Sequence, residues 1–105
     1  MAWLLLLAAG LLEIVWAIAL KYSEGFTRFW PSVIGIVTAL ASFILLTMAL
    51  KSLPVGTAYA IWVGIGAVGV ALVGIVAFNE IASVARLSLL ALILVGIVGL
   101  KVIEG

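Results

Sequence analysis

The sequence predicts an all-α integral membrane fold of four transmembrane helices, and three observations carry that prediction. Of 105 residues, 69% are hydrophobic and only 9% are charged, whereas a soluble domain is about 25% charged and 45–50% apolar. Mean hydropathy is +1.57, far above the range of disordered chains. The charges are not scattered; they punctuate four long apolar runs. A spanning helix takes about 20 residues, so four spans leave little chain for any outside domain.

The first run extends over residues 2–20 and is interrupted once, by Glu13. It has no basic leading segment and carries an acid within its apolar stretch, so it reads as a permanent span and not as a cleaved leader. Lys21–Arg28 is a polar turn. The second span, 30–50, opens with Trp30-Pro31; proline suits a first helical turn, where its missing N–H is no loss, and Trp30, like Trp3, suits the headgroup belt. The third span, 54–78, starts at Pro54 and is rich in glycine. The fourth, 84–102, carries Arg86 and Lys101 near its ends, where long basic side chains snorkel to the interface.

Even spans place both termini on one side of the bilayer. The first and third loops hold Lys21, Arg28 and Arg86, and the opposite side holds Lys51, Lys101 and the α-amino group. Orientation follows the excess of Lys and Arg on the cytoplasmic side, and here the excess is close to nil. The balance predicts insertion in both orientations. Four helices are too few to enclose a gated path, and the chain has no internal repeat of the kind on which secondary transporters are built. An antiparallel homodimer would supply that repeat in trans.

Residue types narrow the chemistry. There is no Cys, His or Asp, which excludes disulfides, thiolate or zinc clusters and a histidine-based triad. No cofactor, metal site or enzymatic activity is expected. A net charge of +1 provides no footprint for nucleic acid. Glu13 stands out because an acid inside the hydrocarbon zone costs a few kcal/mol and is functional by default. It is the one candidate for an intramembrane proton carrier.

Small residues surround Glu13 in helical register. Ala9 and Gly10 lie one turn before it, and Trp16 and Ala17 one turn after. In the third span Tyr59, Trp62 and Gly66 share a face, and in the second Gly35, Thr38 and Ser42 form a small, partly polar stripe. Faces converging on Glu13 would combine a carboxylate, two indoles, a phenol and a hydroxyl, a set suited to a small cation. Gly64 and Gly66 read either as helix packing positions or as a bend in the third span. Leu92, Gly96 and Gly99 form one side of the fourth span and read as a dimer seam.

Three segments then carry a family resemblance: Ala9-Gly-Leu-Leu-Glu-Ile-Val-Trp16, Leu20-Lys-Tyr-Ser-Glu-Gly-Phe-Thr-Arg28, and Leu53-Pro-Val-Gly-Thr-Ala-Tyr-Ala-Ile-Trp-Val-Gly-Ile-Gly66. Together with the length and four spans they resemble the small multidrug resistance family across the whole chain. Trp16 and Lys101 resemble its guanidinium exporter subtype, as does Ala39, where multidrug members carry an aromatic; Val63 departs from the threonine frequent there. The resemblance implies proton-coupled export of guanidinium by an antiparallel homodimer in the inner (plasma) membrane. Glu13 would bind protons and substrate in alternation, Ser42 and Trp16 would position it, and Tyr59 and Trp62 would line the site. The alternative is export of hydrophobic or quaternary ammonium cations through the same glutamate.

Overall fold

The computed structural model describes residues 1–104. Within them the chain forms four α-helices: α1 (Ala2–Tyr22), α2 (Phe29–Ala49), α3 (Val55–Ala77) and α4 (Val84–Glu104). Each is long and apolar enough to cross a membrane. At 1.5 Å per residue, 21 residues reach about 32 Å, a little more than a hydrocarbon core. Pro31 falls in the first turn of α2 and Pro54 immediately precedes α3, positions where no intrahelical N–H is required.

Loop chemistry brings the helices back on one another. After α1 the backbone takes three successive left-handed residues, Glu24, Gly25 and Phe26. Ser23 holds that turn from its buried centre. Its hydroxyl donates to the Leu20 carbonyl at 2.6 Å and accepts from the Phe26 N–H at 3.2 Å, while its own carbonyl accepts from the N–H groups of Thr27 and Arg28. The α3–α4 connection turns at Asn79, also left-handed, and folds Glu80 against Gly74. Arg86 pairs with Glu80 at 2.7 Å and donates to the Ile81 carbonyl at 3.1 Å.

The helices lie side by side in the order α2, α1, α3, α4, with α2 reaching α3 only slightly. The result is a plate measuring 42 × 35 × 17 Å. Its core is small: Leu6 and Ala9 of α1, Ala49 of α2, and Ala58, Ile61 and Trp62 of α3. Helices approach closely where one of them lacks a side chain. Gly35 of α2 meets Leu20 of α1, Gly10 of α1 meets Ile65 of α3, and Gly69 of α3 meets Ile14 of α1. Across the other edge Gly64 of α3 receives Ile97 of α4. No residue of α4 is buried.

Candidate functional site

Glu13 sits where α1, α2 and α3 come together, and the reason it fits is Gly66. A Cβ on Gly66 would lie 2.6 Å from Glu13 Oε2 and 2.8 Å from Oε1. The carboxylate therefore lies on the bare backbone of α3. Oε2 is buried and has no hydrogen-bond partner in the protein. One turn further along α1, the indole N–H of Trp16 is likewise buried without an acceptor. An unpaired acceptor and an unpaired donor thus share one turn of the same helix, in a setting where unsatisfied polar groups are expensive.

Ser42 is fully buried, and its hydrogen bonds run to α1 and α3 without touching Glu13. Its hydroxyl donates to the Ala9 carbonyl at 2.7 Å and accepts from the Trp62 indole N–H at 2.9 Å. Ala9 precedes Glu13 by four residues, so its carbonyl is the one that an α-helix assigns to the Glu13 N–H. Ser42 is thereby linked to Glu13 only through the backbone that carries the acid. Trp62 is buried beside this chain of bonds. Its ring packs on Tyr59 with centroids 5.7 Å apart. Tyr59 itself is 56% exposed and opens on one broad side of the plate.

A further aromatic completes the wall. Phe43 stands edge-on to Trp62 at 5.7 Å and to Trp16 at 6.4 Å, a favoured arrangement for aromatic pairs. Phe43 is inconspicuous in the sequence because it lies 100° round the helix from Ser42, off the stripe of small residues. Its position inside an apolar span also made it look like any other lipid-facing residue. The rest of that stripe serves packing and local bonding: Gly35 rests on Leu20, and the Thr38 hydroxyl donates to Ile34 of its own helix at 2.6 Å.

The remaining expected positions divide by location. Gly64 faces Ile97, Gly66 faces Glu13, and α3 continues as one helix through both. Leu92 is 65% exposed, and a Cβ on Gly96 or Gly99 would meet nothing within 4 Å. That strip of α4 points away from α3. Among the described residues no group of three or more His, Cys, Asp or Glu is placed to hold a metal ion.

The site is therefore a buried carboxylate oxygen with free acceptor capacity, a nearby indole donor, and walls of three aromatic rings. Such a surface offers a carboxylate and aromatic faces of the kind that suit a small organic cation.

Comparison with known proteins shows the family. The family model described as Small Multidrug Resistance protein matches residues 1–93. The Guanidinium exporter of Yersinia pseudotuberculosis serotype I is 61% identical over 101 residues, covering 96% of this chain and 97% of its own. The Guanidinium exporter of Escherichia coli K12 is 58% identical over 101 residues, with 96% of each chain covered. That of Citrobacter freundii is also 58% identical over 101 residues, again with 96% of each chain covered.

Proposed function

Because the chain belongs to the Small Multidrug Resistance family, a family of transporters and not of enzymes, we propose that it exports guanidinium in exchange for protons, both ligands competing for Glu13. It is a multi-pass membrane protein, and in a bacterial cell its place is the inner membrane. Relatives at 58–61% identity named Guanidinium exporter support the substrate. The observation that carries the mechanism is the buried, unpartnered Oε2 of Glu13 against Gly66.

Guanidinium is planar and offers paired N–H donors that match a carboxylate. Bound to Glu13, it would also present its face to the Trp16, Phe43 and Trp62 rings, which attract cations through their quadrupoles. A proton on Glu13 removes the charge and one acceptor, so the cation leaves. Alternation between the two ligands couples their movements in opposite directions. Ser42 and Trp62 hold the α1 turn in register, and Trp16 would orient the carboxylate once its N–H, unpartnered here, turns to it on ligand binding.

A single plate leaves the Tyr59 side open, and a second copy would close it. The near-even division of Lys and Arg supports opposite orientations of the two copies, and the Leu92, Gly96 and Gly99 strip of α4 is the seam. A bend of α3 near Gly64 and Gly66 would then change which side the site faces.

Reconstituted into liposomes with a pH gradient, the protein should drive guanidinium uphill, and Glu13→Gln should abolish that coupled flux. Coupled flux in the Gln variant would overturn the mechanism. Transport of a bulky quaternary ammonium ion with no guanidinium flux would instead establish the hydrophobic-cation reading.

A further inference from the structure

On the broad side of the plate opposite Tyr59, a groove of about 290 Å³ runs between α1 and α4 over the surface of α3. Leu4, Leu7, Ile61 and Ile65 line it, and Trp3 and Lys101 form its mouth. Helical register turns the exposed part of its lining away from the Glu13 face, the buried Leu6 excepted. Leu4 precedes Glu13 by nine residues and so points about 180° away from it, and Ile61 stands about 200° round α3 from Tyr59. The groove faces bilayer when the Tyr59 side faces a second copy.

Its mouth is chemically distinct from its floor. The Lys101 ammonium lies 4.9 Å above the Trp3 ring. It forms no ion pair among the described residues, in contrast to Arg86 at the other end of α4. The nearest acid on its own helix, Glu104, accepts a hydrogen bond from Thr57 at 2.9 Å. A cation with no ion pair among the described residues and an indole therefore stand together near the end of α4 and the start of α1, at one end of a carbon-lined channel. Trp and Lys are the residues that anchor a protein at headgroup depth.

We propose that this groove is a binding site for an anionic phospholipid, with one acyl chain lying against Leu4, Leu7 and Ile65 and the headgroup phosphate on Lys101. Net negative charge is the selective element. A zwitterionic lipid brings its own cation beside Lys101, whereas phosphatidylglycerol brings none. A basic residue close to a membrane surface favours anionic lipid by about fivefold.

Native mass spectrometry of the detergent-purified protein, given equal amounts of phosphatidylglycerol and phosphatidylcholine with matched chains, tests this directly. The expected result is retention of phosphatidylglycerol over phosphatidylcholine by about fivefold. Lys101→Gln should bring the two to parity, while Lys51→Gln, the same charge change on the same membrane face, should keep the preference. Leu7→Trp fills the groove and should reduce retention of both lipids. Equal retention by the wild type, or equal losses from Lys101→Gln and Lys51→Gln, would overturn the proposal; the lysine pair decides even if the Leu7 variant fails to fold.

Discussion

The Ser42 hydroxyl donates to the Ala9 carbonyl at 2.7 Å, one turn before Glu13, so a residue of α2 is bonded to the stretch of α1 that carries Glu13. The same oxygen accepts from Trp62. Ser42→Ala should therefore lower stability by about 0.5–2 kcal/mol and weaken guanidinium binding as well. Trp62→Phe removes the donor and keeps a ring. Because both changes break one network, the double variant should lose less than the sum of the singles, as measured by unfolding in detergent.

Gly66 is the floor beneath the carboxylate. Gly66→Ala puts a methyl group 2.6 Å from Glu13 Oε2, and overpacking of this kind costs about 1–3 kcal/mol. Either α1 and α3 separate or Glu13 swings off the site, so guanidinium binding should fall steeply. Gly56→Ala, where a Cβ meets nothing within 4 Å, is the matched control and should bind as the wild type does. Calorimetric titration of both variants makes the comparison.

Competition at Glu13 has a sign. The ionised carboxylate binds the cation and the protonated one does not, so acid weakens binding. Below the carboxyl's own titration point, the apparent Kd for guanidinium should rise about tenfold per pH unit; above it, Kd should be flat. Adding guanidinium to weakly buffered protein should release protons at acidic pH, and Glu13→Gln should release none. A Kd unchanged from about pH 9 down to about pH 3, below the usual carboxylate range, would contradict the linkage on which this expectation rests.

The α4 strip makes a separate prediction. Gly96 has open space where its Cβ would be, so Gly96→Leu leaves the packing within one chain untouched. It should shift the equilibrium between one copy and two, read by cross-linking or single-molecule colocalisation in liposomes. Transport should fall in parallel. An unchanged oligomer would remove α4 from the seam.

The four-helix membrane fold was legible because it depends on quantities a sequence displays directly: the length of apolar runs and the residues that interrupt them. Glu13 was conspicuous for the same reason, as an energetically costly exception. Phe43 was not, since an aromatic residue in an apolar span gains its meaning only from the indoles beside it. Gly64 and Gly66 show the other difficulty. Two residues apart in one glycine-rich stretch, they meet an isoleucine of α4 and the carboxylate of α1 respectively, and nothing in the spacing distinguishes those neighbours. Ser42 was visible as a polar residue on a small face, but its attachment to the Ala9 backbone required three-dimensional placement.

A plate 17 Å thick has two skins and very little interior. A cation resting on Glu13 of one plate would keep the water on its outward side. Under the proposed pairing of two plates, recognition of charge and removal of the hydration shell would be separate events: one wall would suffice for the first, and the second would wait for an opposing wall. An isolated plate would then be a selective but leaky grip, and dehydration would be the step that commits the ion to crossing.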